Sequence, residues 1–205
     1  MQDTPMTLVH MFERAELYHR DKTIVTATAT GRERTTYGAW AERTRRLGGM
    51  LNDLGISGDG RVATFAWNTA RHLELYFAPP CTGRVAHTLN IRLFPEQLTY
   101  IVNHAEDEVI FIDRSLFALI APLLSTFKTV RHLVIMDDGK GDAPSSVPGF
   151  EVHDYEKLMA AAKPVEFDIQ DEHLAASMCY TSGTDRKSTR LNSSHSSVSR
   201  MPSSA

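Results

Sequence analysis

The sequence predicts an α/β fold: a mixed, largely parallel sheet with flanking helices. Three observations predict it. Short β-branched or apolar runs alternate with stretches of helical periodicity through much of the chain. Turn and cap residues fall at the joints, among them Gly55, Gly58-Asp59-Gly60, Asn68 and Pro95. The composition is that of an ordinary globular protein, 42% hydrophobic and 23% charged over 205 residues, so a core can form without disulfide or metal staples.

Taken in order, residues 6–18 carry Leu8, Met11, Phe12, Ala15 and Leu17 near one helical face. Residues 22–28 are β-branched and read as a strand. Thr30-Gly31-Arg32 turns the chain, so residues 34–36 pair back on it. Residues 37–54 form a helix, with Trp40, Leu47, Met50, Leu51 and Leu54 at threes and fours and Gly55 as the stop. Its Arg43, Arg45 and Arg46 read as a solvated face rather than a basic binding patch.

Residues 61–66 make a strand, and Asn68 is the expected N-cap of a helix running towards Phe77. Prolines 79 and 80 follow. An interior helical proline costs about 3 kcal/mol. The helix is therefore expected to end at Phe77, or else Pro79 and Arg84 are errors in the sequence. Residues 85–88 are a strand, and Pro95 opens a helix to His104. Residues 109–113 are a buried strand, 116–124 a helix and 132–136 a strand. Residues 137–149, rich in Gly, Pro, Ser and Asp, form an exposed loop. Residues 155–162 form a short helix, and 177–180 a strand.

Composition excludes some functions. A formal net charge of −3 argues against a nucleic-acid binder held by bulk electrostatics. Cys81 and Cys179 stand far apart with no Cys-x-x-Cys or Cys/His spacing, which points away from zinc or a disulfide framework and towards two reduced, buried thiols. The N-terminus lacks a basic segment followed by an apolar one, so no secretory signal is read. The longest apolar stretch, 116–124, is too short to span a bilayer. A cytoplasmic protein is expected, with contact at a membrane surface left open.

Chemistry concentrates in Tyr180-Thr181-Ser182-Gly183-Thr184, directly after an apolar strand. Hydroxyls of Thr181, Ser182 and Thr184 have the reach to bond phosphate oxygens, and Gly183 lets backbone N–H groups face an anion. Alone, such a string is as well explained by a polar turn.

Its context resembles the adenylate-forming (AMP-binding) superfamily, whose phosphate loop reads Y-T-S-G-T-T-G-x-P-K-G. The likeness extends to Gly58-Asp59-Gly60-Arg61-Val62-Ala63, to His72-Leu73-Glu74-Leu75-Tyr76-Phe77 and to Tyr100-Ile101-Val102-Asn103-His104-Ala105-Glu106-Asp107. His87-Thr88-Leu89-Asn90-Ile91-Arg92-Leu93 is similar to a segment of medium- and long-chain fatty-acyl-CoA ligases. The resemblance runs collinearly over residues 1–184. It implies an incomplete N-terminal domain that uses ATP, Mg²⁺ and coenzyme A to convert a fatty acid to acyl-adenylate and then acyl-CoA. It assigns Thr181, Ser182, Gly183 and Thr184 to the ATP phosphates and puts the catalytic residues further downstream.

After Thr184 the pattern departs. The family's Thr-Gly is Asp185-Arg186 here, its Pro-Lys-Gly falls on Ser188, Thr189 and Arg190, and Lys187 stands two positions early. Asp185 would set a negative charge beside a triphosphate. Residues 185–195 and 199–205 resemble a translated sequencing adapter, with Ser196-Ser197-Val198 in the place of a variable index. Residues 185–205 are therefore read as a non-native tail that buries too little surface to order itself. The resulting chain is expected to be inactive.

Other residues invite roles that the sequence does not support. A lone His87 is more often structural than pocket-lining. His72 and His104 have no i+4 partner for a metal. Trp40 and Trp67 fit core or rim positions, and Glu106-Asp107-Glu108 fits a solvated turn. Two alternatives stand beside the fatty-acyl ligase. One is another adenylate-forming enzyme: an aryl-CoA ligase, a peptide-synthetase adenylation domain or a luciferase-like oxygenase. The other is a non-catalytic nucleotide-binding module.

Overall fold

The computed structural model describes residues 5–28 and 31–180. A first helix, α1 (Leu8–Tyr18), leads into an antiparallel hairpin of β1 (Thr23–Thr28) and β2 (Gly31–Thr36). Helix α2 (Tyr37–Asp53) follows, its N-cap Thr36 accepting from the Ala39 N–H at 3.2 Å. The main unit then alternates: β3 (Arg61–Phe65), α3 (Ala70–Cys81), β4 (Val85–Thr88), α4 (Pro95–Ala105), β5 (Asp107–Asp113). A broken helical run crosses 114–126, with α5 (Phe117–Ile120) between two 3₁₀ segments. After it come β6 (His132–Met136), β7 (Glu151–Asp154), α6 (Tyr155–Ala161) and the two-residue β8 (Ser177–Met178).

The six strands β3–β8 form one sheet in the order β7-β6-β5-β3-β4-β8, with every pair parallel. Parallel neighbours require crossovers, and the crossovers cover both faces. On one face Ala63, Phe65, Ile110, Ile112 and Leu133 pack with α4 and the 114–126 run. On the other, Val62, Val109, Phe111 and Val134 meet α2, α3 and α6. Helix α1 is an outer layer, its Phe12 wholly buried against Trp40, Phe77 and Phe167.

Several expectations change. In α1 the buried pair is Val9 and Phe12, while Met11 and Leu17 are exposed; only a narrow stripe of the helix meets α2 and α3. The N-cap of α3 is Thr69, whose hydroxyl accepts from His72, rather than Asn68. Helix α3 does not stop at Phe77. It runs through Pro79 and Pro80 to Cys81, each proline removing one backbone donor from the final turn. There the Thr82 hydroxyl bonds the carbonyls of Ala78 and Pro79 at 2.9 and 3.0 Å. Arg84 is buried, and its guanidinium bonds Asn52 Oδ1 and the Ile56 carbonyl, both at 2.9 Å. Strand β7, unmarked in the sequence, adds an edge to β6. Of the cysteines, Cys81 is buried and Cys179 exposed; burial pushes the Cys81 thiol up to about 12, so it is inert.

The arginines of α2 are not a solvated face. Arg43 bonds Glu74 of α3 at 2.6 Å and Glu156 of α6 at 2.9 Å. Glu74 is almost fully buried and also accepts from the Tyr155 hydroxyl. Burial pushes its carboxyl above the usual range, against the pull of Arg43. Arg45 holds Glu16 of α1 at 2.8 Å and lies over the Phe12 and Phe167 rings at 5.1 and 5.3 Å. Only Arg46 makes the ordinary exposed i,i+4 pair, with Glu42.

Gly48 and Gly49 sit inside α2 because the segment after α6 passes directly over them. A Cβ at Gly49 would collide with the Lys163 carbonyl oxygen, and one at Gly48 would come within 2.7 Å of Val165 Cγ2. Helix propensity favours Gly→Ala by about 1 kcal/mol. Here Gly49→Ala is expected to destabilise by about 1–3 kcal/mol in urea denaturation, because the collision is with backbone. Arg43→Ala, which strands the buried Glu74, should cost about 3 kcal/mol, whereas Arg46→Ala should cost less than about 0.5 kcal/mol.

Candidate functional site

Because β3–β8 are parallel, their carboxyl ends share one edge of the sheet. The chain steps from β3 to β4 in one direction and then places β5, β6 and β7 on the other side of β3. The reversal opens a crevice between the ends of β3 and β5, the place where open α/β sheets take ligands. Asp113 closes β5 there. Its Oδ2 accepts the Trp67 N–H at 2.6 Å, the Trp67 indole donates to Ser115 Oγ at 3.0 Å, and the Ser115 hydroxyl bonds Asp138. Asp113 is wholly buried, and its Oδ1 has no hydrogen-bond partner among the described residues. Burial pushes its carboxyl up to about 6, with nearby Asp138 adding and the Trp67 N–H opposing. Beside it lies a cleft of about 300 Å³ lined by Thr26, Thr28, Thr69, Arg71 and Lys140 among others. Trp67 lines this cleft too and is half-exposed, a rim residue; Trp40 is buried in the core.

A second feature of the edge is the approach of β8. Ser177 and Met178 pair with Ala86 and His87 of β4, carrying the chain towards the carboxyl edge. Tyr180, two residues on, is held twice. Its hydroxyl meets His104 Nδ1 of α4 at 2.6 Å, and its ring packs 5.4 Å from the His87 ring. Thr181, Ser182, Gly183 and Thr184, the predicted phosphate ligands, come next and lie outside the described residues, as does the 185–205 segment. The structure therefore positions the threshold of the predicted loop.

Under that threshold sits a buried histidine–aspartate pair. His87 Nδ1 lies 2.8 Å from Asp107 Oδ1, with both side chains fully buried. The pair reaches across β3, where Ala63 is in register with His87 and Arg61 with Asp107. Burial pushes the Asp107 carboxyl up, against the pull of His87. His87 is thus structural, as its isolation suggested. Asp107 is not in a solvated turn: Glu106 alone takes the exposed, left-handed position, with φ of 57°, while Asp107 turns inward to a partner twenty residues earlier in the chain. Sequence reading missed both Asp107 and Asp113; the only signal was an acidic residue at each end of a strand that is apolar from Val109 to Ile112.

Asp113 makes a pH prediction. Its folded-state value, about 6, stands above the ordinary carboxylate value of about 3.9. The folded chain therefore binds the extra proton, and stability falls as pH rises from about 4 to about 6. Asp113→Asn is expected to flatten that slope and to raise stability at pH 7.5 by about 2 kcal/mol, read from urea denaturation at a series of pH values.

The family described as AMP-binding enzyme matches residues 11–185. The chain is 40% identical over 185 residues to a 3-methylmercaptopropionyl-CoA ligase of Ruegeria lacuscaerulensis, covering 90% of this chain and 34% of the relative. It is 41% identical to a long-chain-fatty-acid–CoA ligase of Thermus thermophilus, covering 90% and 32%. Its fold matches the crystal structure of the anthranilate CoA ligase AuaEII in complex with anthranoyl-AMP with a TM-score of 0.75 at 18% identity, over 89% of this chain and 33% of that one. The chain spans about a third of the length of the curated relatives it matches. Across that third, from α1 to the threshold after β8, this chain belongs to the AMP-binding, adenylate-forming enzyme family.

Proposed function

We propose that the chain is the front part of an ATP-dependent acyl-CoA ligase, in which Thr181, Ser182, Gly183 and Thr184 hold the phosphates of ATP. One observation carries this reading: in a member of the AMP-binding family, β8 and the doubly held Tyr180 lead straight into that hydroxyl-rich, glycine-containing string. The donor set suits the ligand. Three hydroxyls and the backbone N–H groups supply donors, and residues 181–184 include no carboxylate to repel a triphosphate. Mg²⁺, bound mainly by phosphate oxygens, would neutralise charge there. The reaction is two-step. The substrate carboxylate attacks the α-phosphate, releasing pyrophosphate and forming acyl-adenylate; the coenzyme A thiolate then attacks the acyl carbonyl and AMP leaves. Preorganised donors at the loop would stabilise charge building on the phosphates.

A medium- or long-chain fatty acid is the substrate class that the His87–Leu93 segment favours. Identities of 36% to a medium-chain-fatty-acid–CoA ligase of Ectopseudomonas oleovorans and 41% to the Thermus thermophilus ligase support it. No helix among the described residues is long and apolar enough to cross a membrane. Residues 185–205 we read as foreign to the parent protein. The family match ends at residue 185, just where the loop pattern breaks.

The test is to sequence the source DNA beyond the Thr184 codon. A continuation encoding Thr-Gly-x-Pro-Lys-Gly is expected; genomic DNA that truly encodes the Ser-rich tail would overturn the assignment. In the continued protein, Thr184→Ala should lower CoA-dependent AMP release about a hundredfold. The 205-residue chain should release none.

A further inference from the structure

At the opposite edge of the sheet from the predicted loop, three side chains converge. His132 opens β6; Glu151 and His153 lie on β7, whose parallel register sets His132 beside Glu151 and Val134 beside His153. Period-two alternation then puts all three side chains on one face. His132 Nδ1 stands 3.2 Å from His153 Nε2 and 3.7 Å from a Glu151 carboxylate oxygen, and His153 Nε2 stands 3.9 Å from the same oxygen. From this geometry we infer a divalent transition-metal site, of zinc type, formed by His132, Glu151 and His153.

The spacing fits the ion. Tetrahedral zinc with nitrogen and oxygen ligands at 2.0–2.1 Å holds its donors about 3.3 Å apart, so the three atoms need to close by only a few tenths of an ångström around it. The donors fit as well. Two imidazoles and one carboxylate suit zinc, cobalt or nickel, whereas magnesium and calcium prefer an all-oxygen shell. The alternative, an N–H···N bond between the two histidines, would leave Glu151 with neither nitrogen within hydrogen-bonding distance. The nearest cation, Arg131, is paired with Glu108.

The proposed role is a clamp. Strand β7 is an edge strand joined to the sheet only through β6, and a bound ion would tie it to β6 through side chains as well as backbone. A fourth coordination position stays open to water. Nothing in the proposed ligase reaction requires this ion, so the two readings stand or fall separately.

The experiment titrates the untagged, chelator-stripped 205-residue chain with ZnCl₂ by calorimetry and follows its thermal melt. One Zn²⁺ per chain is expected, with the midpoint rising by roughly 5–10 °C at a hundredfold excess over the dissociation constant, and Mg²⁺ without effect. His153→Gln and Glu151→Gln, both at the partly exposed edge, should melt like the unaltered chain without metal and each bind Zn²⁺ at least about tenfold more weakly. Absence of zinc binding, or binding undiminished in the His132→Gln/His153→Gln double variant, would overturn the site.

Discussion

Parallel pairing of β3 with both β4 and β5 is the constraint on which the rest of the molecule depends. Parallel strands cannot be joined by tight turns, so each step to the next strand needs a crossover, and the crossovers must cover a face of the sheet. This makes β3 a buried, two-faced strand, with Val62, Ala63 and Phe65 all inaccessible. It also gathers the strand carboxyl ends on one edge, where the chain reverses direction around β3. The crevice at Asp113 and the approach through β8 are both products of that one pairing.

Three carboxylates are buried among the described residues, one on α3 and two on β5, and each is met differently. Glu74 receives Arg43 and the Tyr155 hydroxyl across three helices. Asp107 receives His87 across β3. Asp113 receives a single backbone N–H and keeps one oxygen without a partner among the described residues. A buried carboxylate is costly in proportion to what it lacks. The first two act as registration devices between elements, since each is satisfied only when distant segments dock correctly. The third carries an unrelieved cost at the edge where ligands enter such sheets, the kind of local conflict that concentrates at functional positions.

Around the threshold of the predicted loop, rigidity comes from side chains rather than from the strand. β8 contributes two residues to the sheet, too few to fix a direction by backbone bonding alone. Tyr180 compensates by anchoring its hydroxyl on α4 and its ring on the buried His87. The His87–Asp107 pair therefore acts through Tyr180 on the position from which the loop departs. Packing, electrostatics and the proposed phosphate site are linked there through four named residues: Asp107, His87, Tyr180 and His104.

The sequence by itself determined the alternation of strands and helices, the helix start at Pro95, the turn at Gly58-Asp59-Gly60 and the family likeness. These depend on local periodicity and on short contiguous motifs, which one chain displays openly. Strands 132–136 and 85–88 were legible to the residue for the same reason. Only the tertiary structure decided what Arg43, Arg45, Asp107, Asp113, Gly49 and His132 do. Each answers to a partner on another element: Glu74 and Glu156 for Arg43, His87 for Asp107, the Lys163 carbonyl for Gly49. A charge run on a helix or an acidic triplet reads as solvated when its partner is scores of residues away. Strand β7 was illegible because it is short and its pairing with β6 comes from the fold. Local free energies are written in neighbouring residues, whereas desolvation and close approach are set by whatever the folded chain brings alongside.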